Sequence, residues 1–222
     1  MIELNEQRIS LLEVSAKQNY LLSLLTSVTK LRPFEKMVES ITTGLNPRKN
    51  FKLGMGRNYY VTIKNMDGSN VILDERCDKV DDAALSKISA RSRLAKGDVL
   101  FSGIGTIGRT FICYDAPSNW NVSESVFVMK PKAGIPSEFL YETVSSKEFN
   151  DFAYNTASGA AQKGIRMADL KAHIVPLLGE ESLEKFNKTV SPLLKEAHKL
   201  RSENHLLAIQ KSHLLTKYFG SN

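Results

Sequence analysis

Cysteine is scarce in this chain: Cys77 and Cys113 stand far apart, with no second pair. That excludes a disulfide framework and predicts a reducing, cytoplasmic setting. No apolar run reaches the roughly 18 residues that a membrane span requires. Glu3, Glu6 and Glu13 interrupt the apolar residues near the N-terminus, which is wrong for a signal peptide. A soluble protein without a membrane partner is expected. Catalytic constellations are missing too. His173, His198, His205 and His213 lack metal-ligand spacing, and His198 and His205, on one helix face, lie roughly 10 Å apart. No G-x-S-x-G elbow, Walker loop or metalloprotease signature occurs, and Ser102 has no assignable base. The chain is expected to be no enzyme, with no catalytic residue, metal or cofactor of its own.

What is present is length, apolar content and positive charge. The 222 residues are 42% hydrophobic and carry a net charge of +6, enough for one packed domain with helical extensions and a bias toward polyanionic partners. Proline and glycine are absent from Ile2 to Val28. Leu4, Leu11, Val14, Leu21, Leu25 and Val28 fall on one heptad seam there, and Ile2, Ile9 and Leu12 form an adjacent stripe. The width of this face predicts a helix with more than one neighbour. At the other end, Leu183, Val190, Ala197, Asn204, Lys211 and Tyr218 form an a row. Phe186, Leu193, Leu200, Leu207 and Leu214 form an unbroken d row, the signature of a coiled coil. Asn204 reads either as a polar register pin or as a locally exposed position. Ser191-Pro192 is expected to interrupt or restart this helix, and Gly220 to end it.

Between the helices the texture changes. Runs at Asn58–Ile63, Asn70–Leu73, Asp98–Phe101, Arg109–Tyr114 and Ser125–Met129 read as strands, separated by turn clusters such as Asp67-Gly68-Ser69 and Lys96-Gly97-Asp98. Short helices are expected at Ser137–Ser145, Ser146–Ala153 and Met167–Leu170, and Asp81-Asp82 reads as a solvated turn. The fold class is therefore α+β: a middle domain with a mixed or antiparallel sheet, flanked by two long helices that form an antiparallel coiled coil. The boundaries fall at 1–30, 31–178 and 179–222. The expected coiled-coil interface comprises Leu11, Val14, Leu21, Leu25, Phe186, Val190, Leu193, Leu200, Asn204, Leu207 and Leu214, although a second chain could fill the same seams.

Acidic residues are absent where basic ones gather. From Ser40 to Met66 there is no Asp or Glu, yet Arg48, Lys49, Lys52, Arg57 and Lys64 occur among Asn58, Tyr59 and Tyr60. From Phe152 to Ala168 the acid-free stretch holds Gln162, Lys163 and Arg166. Cations suit phosphate anchoring, and amides and aromatics suit base contacts; a solvated loop is the plainer alternative for each. Gly103-Ile104-Gly105-Thr106-Ile107-Gly108 matches G-x-G-x-x-G literally, with Glu124 at the distance of a ribose-binding acid. A dinucleotide site also needs a helix at that loop, whereas Arg109–Tyr114 reads as a strand. A glycine-rich hairpin turn is the better reading, with Arg109 available for a phosphate.

Three sets of residues resemble one family. Phe186–Leu194, Ser202-Glu203-Asn204-His205-Leu206-Leu207-Ala208-Ile209 and Leu214-Leu215-Thr216-Lys217-Tyr218-Phe219-Gly220 are similar to the C-terminal conserved helix of type I restriction–modification specificity subunits. That helix carries an E-N-x-x-L element and ends near L-L-P-K-L-x-S-G. The departures are Thr216 in place of proline, and Gln210-Lys211-Ser212 where an Arg-Asp pair is common. Ile2–Glu13 resembles the far end of the central conserved helix. Gly97–Ser102 with Gly105–Gly108, and Ser158–Ile165 leading to Ile174–Leu177, look like landmarks of a target recognition domain.

The resemblance implies a recognition domain that reads one half of a split double-stranded DNA target. Its helices would dock methyltransferase (modification) subunits and, through them, a restriction subunit. A single recognition domain implies half a reader, which needs a homodimer or a second recognition half. The expected DNA-contacting residues are Arg48, Lys49, Lys52, Arg57, Asn58, Tyr59, Lys64, Ser102, Arg109, Gln162, Lys163 and Arg166. The rival expectations are a coiled-coil assembly adaptor that has lost DNA reading, and a nucleotide-dependent enzyme built on the glycine turn.

Overall fold

A computed structural model of the protein describes all residues except 68–69, 161 and 220–222, with the side chain of Phe219 also left out. The expected Asp67-Gly68-Ser69 turn and the helix stop at Gly220 therefore lie outside the described residues. The chain opens with α1 (Ile2–Thr26) and closes with α6 (Glu180–Phe219). Between them, β1 (Thr29–Pro33) and β11 (Ile174–Leu178) pair antiparallel, Thr29 opposite Leu178, so the chain enters and leaves the middle domain through one ribbon. The domain that the ribbon closes is mixed α+β.

Its central sheet is fully antiparallel. In spatial order it consists of β2 (Val38–Thr43), β10 (Val126–Pro131), β7 (Val99–Ser102) and β8 (Thr110–Ile112). Alternation along these strands feeds two cores. Val99, Phe101, Phe127 and Met129 join the main core with Phe139 and Leu140 of α3 (Ser137–Ser145) and Phe149 of α4 (Lys147–Thr156). Leu100, Phe111, Val126 and Val128 pack on the other face against Val61, Met66 and Val122. Burial on both faces explains why these strands read as continuous apolar runs rather than as alternating ones. A second, mixed sheet has β3 (Asn58–Val61) at its centre, antiparallel to β6 (Asp78–Val80) and parallel to β9 (Trp120–Val122). The short pair β4 (Met66–Asp67) and β5 (Asn70–Val71) and the short helix α5 (Met167–Ala172) complete the domain.

Two local expectations change. Asp81-Asp82 is no free turn but the start of α2 (Asp82–Ser92): the Asp81 carboxylate accepts from the Ala84 amide at 2.7 Å, a helix N-cap. α6 runs unbroken through Pro192. Pro192 and Lys188, whose carbonyl loses its intrahelical donor, both lie on the solvent side, where water can satisfy that oxygen. Ser191 is therefore no cap. Its hydroxyl donates to the buried Glu138 carboxylate of α3 at 2.8 Å.

The two long helices pack antiparallel, and the α6 seam is the expected one. Leu183, Phe186, Val190, Ala197 and Leu200 are buried, while Leu193, Asn204 and Leu207 are half-buried. The seam chosen on α1 is a correction: Leu11, Val14, Leu21 and Leu25 are exposed, and Asn5, Ile9, Leu12, Ala16 and Tyr20 face inward. The inward face satisfies two neighbours at once. Ala16 is small enough for close helix approach. Tyr20 wedges between Phe139 of α3 and Phe186 of α6, at ring separations of 5.5 and 6.3 Å, and its hydroxyl lies 3.3 Å from the Thr143 hydroxyl. A leucine in place of Tyr20 could fill part of that space but could not make the hydrogen bond. Leu214 is exposed as well, because α6 continues roughly 20 Å past Asn204, beyond the start of α1.

Asn204 has a partner rather than an exposed position. The Asn5 side-chain amide donates to Asn204 Oδ1 at 2.9 Å, and Asn204 Nδ2 lies 3.4 Å from the Ile2 carbonyl. Asn204→Leu is expected to leave the buried Asn5 amide unsatisfied and to cost about 1–3 kcal/mol in urea unfolding. The Asn5→Leu/Asn204→Leu double variant should recover most of that loss. A single variant as stable as the parent would show that the pair carries no weight.

Candidate nucleic-acid interface

The glycine motif forms the turn between β7 and β8, which pair antiparallel with Val99 opposite Ile112. Ser102 closes the turn from below: its hydroxyl donates to the Thr106 carbonyl at 2.6 Å and accepts from the Arg109 amide at 2.8 Å. Gly105 has φ +84°, and a Cβ there would sit 2.5 Å from Gln162 Nε2 and 2.9 Å from Ile63 Cδ1. That positive φ favours glycine, and the missing Cβ leaves room for two other segments to come this close. The first is the 162–166 loop, joined to the turn by Gly105 N–H to Lys163 O at 2.8 Å and Ile165 N–H to Gly103 O at 2.9 Å. The second is the 3-10 turn Ile63–Asn65, whose N-terminal end is closed by reciprocal bonds between Thr62 and Asn65. Arg109 ties this turn in: its guanidinium donates to the Ile63 carbonyl at 2.7 Å and to the Met66 carbonyl.

Segments far apart in sequence thus form one fixed cluster. Lys64, Thr106, Gln162 and Lys163 are its exposed polar side chains. Lys64 makes no ion pair among the described residues, and the Lys163 ammonium sits 4.5 Å from the centre of the Tyr154 ring. Arg166 begins α5 and is held in a two-pronged contact with Asp169, at 2.7 and 2.8 Å, which offsets part of its charge. The cluster can offer cations to phosphate oxygens, and a carboxamide with both donor and acceptor to a base edge.

Arg48, Lys49, Lys52 and Arg57 lie elsewhere, on an exposed loop at the far end of β3, roughly 13 Å away along the strand. Phe51 anchors that loop edge-on to Tyr60 at 5.5 Å, and Lys87 Nζ reaches the Asn50 carbonyl at 3.4 Å. None of the four cations has a carboxylate partner among the described residues. Tyr59, half-buried between the two groups in sequence, has Lys79 Nζ 3.0 Å from its ring centre.

Three of the expected contact residues serve the fold instead. Asn58 is buried, and its amide donates to Asp82 at 2.8 Å, fastening β3 to the start of α2. Ser102 is fully buried in its turn. Arg109 spends its guanidinium on carbonyls rather than holding it out for a phosphate. Glu124, at the spacing of a ribose acid, accepts from the Asn46 amide at 2.7 Å and the Tyr60 hydroxyl at 3.1 Å. The glycine turn leads into a strand, so the helix N-terminus that a dinucleotide site requires is not at this loop. Sequence reading also passed over Lys79 and Thr106. Lys79 sits beside Asp78, which hid it from a search for acid-free basic runs; Thr106 carries no sequence signal.

The two cysteines are buried and free, and burial pushes the Cys113 thiol up to about 12. Among the described residues no three His, Cys, Asp or Glu side chains gather as a metal site, and no helix is long and apolar enough to cross a membrane.

Two solved structures share the fold. The S subunit of a type I restriction–modification system from M. genitalium aligns with a TM-score of 0.58 over 97% of this chain, at 14% identity. The HsdS subunit from Thermoanaerobacter tengcongensis aligns with a TM-score of 0.52 over 98% of this chain, at 13% identity. The chain spans little more than half of each of them, 58% and 55%. No protein-family model matches the sequence, and neither does any curated protein. The chain therefore shares the fold of the aligned part of these S subunits: an α+β domain with mixed and antiparallel sheets and a long N-terminal helix packed on a long C-terminal one.

Arg109→Met is expected to strand the Ile63 and Met66 carbonyls and lower unfolding free energy by about 2–3 kcal/mol. Lys64→Ala, on the solvent side of the same turn, should change it by no more than about 0.5 kcal/mol. Equal effects in a denaturant titration would contradict the division of labour between the two residues.

Proposed function

We propose that the chain reads one half of a split duplex DNA target and does no chemistry of its own. The observation that carries this reading is the fixed cluster of Lys64, Thr106, Gln162 and Lys163, built from three distant segments in the fold of a specificity subunit. Residues 31–178 act as the recognition domain, and 1–30 with 179–222 act as the spacer. Lys64, Lys163 and the loop cations Arg48, Lys49, Lys52 and Arg57 neutralise phosphates. Gln162, with donor and acceptor in one plane, suits the N6/N7 edge of adenine.

The outward leucine row of α1 and the free end of α6 supply surface for the remaining partners. Leu11, Val14, Leu21 and Leu25 are exposed in the single chain, as are Leu206, Ile209 and Leu214 on α6. A methyltransferase subunit docks on the helices, and a restriction subunit joins through it. Because the chain spans little more than half of its structural neighbours, a second copy or a second recognition half completes the reader. The cellular setting is the cytoplasm, where such chemistry on DNA takes place.

Fluorescence anisotropy with random duplex at low salt, followed by selection from a duplex library at physiological salt, tests DNA reading. Lys64→Ala and Lys163→Ala should each weaken binding to all sequences alike and lower the salt slope by about one. Gln162→Ala should leave the slope unchanged and relax selection at one position by about 1–3 kcal/mol. Absence of binding at every salt concentration, with and without a methyltransferase subunit, would end this reading. For the second copy, sedimentation equilibrium should show a dimer that Leu214→Glu weakens. A monomer at all concentrations would rule out the second copy.

A further inference from the structure

α3 carries two buried glutamates one helical turn apart, and they are treated differently. Glu138 accepts a hydrogen bond from Ser191. Glu142 is only 5% exposed, yet its carboxyl has no hydrogen bond among the described residues. It lines a cleft of about 530 Å³ between α1, α3 and the glycine turn. The cations around that cleft are already committed: Arg109 to carbonyls, Lys147 to Asp151 and Arg201 to Glu13. Lys17 of α1 lies within electrostatic reach but is exposed and forms no ion pair with Glu142. Glu148 and Glu13, the latter ion-paired to Arg201, also line the cleft. The walls are apolar enough for an alkyl stem, with Tyr20, Leu21, Ile107 and Leu194 in contact with the cavity.

We propose that this cleft receives one arginine or lysine side chain of a partner protein, with Glu142 as its counter-ion. The buried Glu142 carboxyl, without a hydrogen-bond partner among the described residues, selects a cation as its counter-ion, and the apolar lining selects a protein source. Leu21 lines the cleft and also belongs to the exposed row with Val14 and Leu25, so the approach fits a basic residue on an otherwise apolar helix. The proposal deepens the helix-docking part of the proposed function by naming the chemistry of the docked residue. It does not involve the DNA-reading cluster.

Burial pushes the Glu142 carboxyl up to about 8, with Lys17 opposing and Glu13 reinforcing the shift. The free site therefore holds a proton at neutral pH, which an incoming cation must displace. Below pH 8 the affinity for a cation should fall about tenfold for each pH unit, and above it the affinity should level off.

Carbon-13 NMR of the Glu142 carboxyl in the full chain, titrated with n-propylguanidinium, tests the site. The titration midpoint should drop by about one pH unit or more. Uncharged N-propylurea should leave it unmoved, and Glu142→Gln should abolish guanidinium binding together with its pH dependence. A midpoint indifferent to guanidinium, an equal response to the urea, or binding retained in Glu142→Gln would each overturn the site. An amphipathic peptide helix with one arginine among leucines should bind more tightly than the small cation, and Leu21→Glu should remove that advantage alone. Equal affinity of peptide and small cation would overturn the protein partner. No DNA enters these measurements, so their failure would leave DNA reading standing, and the reverse also holds.

Discussion

The β1–β11 ribbon is the constraint on which the rest of the architecture depends. By pairing Thr29 with Leu178 it brings the end of α1 beside the start of α6 and points the two helices back in opposite directions. From that junction the contacts follow in order: Tyr20 on Phe186, Ile9 on Ala197 and Leu200, Asn5 on Asn204. The ribbon costs little, since it closes the domain over main-chain hydrogen bonds that need no particular side chains. Its value is positional, because two helices more than 150 residues apart in sequence acquire one register.

The helix pair and the middle domain are not independent bodies joined by a hinge. One core runs through both: Ala16 and Tyr20 from α1, Phe186, Val190 and Leu194 from α6, and Phe139, Phe149, Phe127 and Met129 from the domain. Close packing of this kind transmits position rather than absorbing it. The glycine-turn cluster grows out of the same sheet, through β7 and β8, so its exposed side chains are fixed relative to the two long helices. The proposed reading of half a split site calls for such rigidity, because the spacing between two half-sites is itself part of what is recognised.

Polar groups at the cluster divide between those that build and those that can reach out. Ser102, Arg109 and Asn65 each bond backbone groups of these segments and so hold the three segments within contact distance. Lys64, Gln162 and Lys163 are left exposed on a surface whose geometry is already settled. Such pre-organisation lowers the ordering cost that a flexible basic loop would incur on binding. The loop with Arg48, Lys49, Lys52 and Arg57 is held by the Phe51 anchor, by side-chain bonds of Lys87 and Asn50 and by a few main-chain bonds. Its cations suit long-range attraction better than exact placement.

Periodicity and composition determined a good deal. The a and d rows from Leu183 to Leu207 are the packed seam of α6, the helices α3, α4 and α5 stand where their patterns place them, and the antiparallel β7–β8 hairpin follows from a strand after the glycines. These features are local, and side-chain spacing encodes local structure directly. β6 and β9, three residues each, are too short to carry a period, and α2 was hidden because an N-cap aspartate looks like a turn residue. Only the tertiary structure decided which face of α1 turns inward. A leucine seam and an adjacent stripe were available, and Tyr20 settled the choice by fitting two partners at once. It also decided the fate of Arg109. A guanidinium in a basic, acid-free neighbourhood reads as a phosphate ligand until carbonyls some 46 positions earlier are brought within 3 Å of it, and no linear pattern contains that distance.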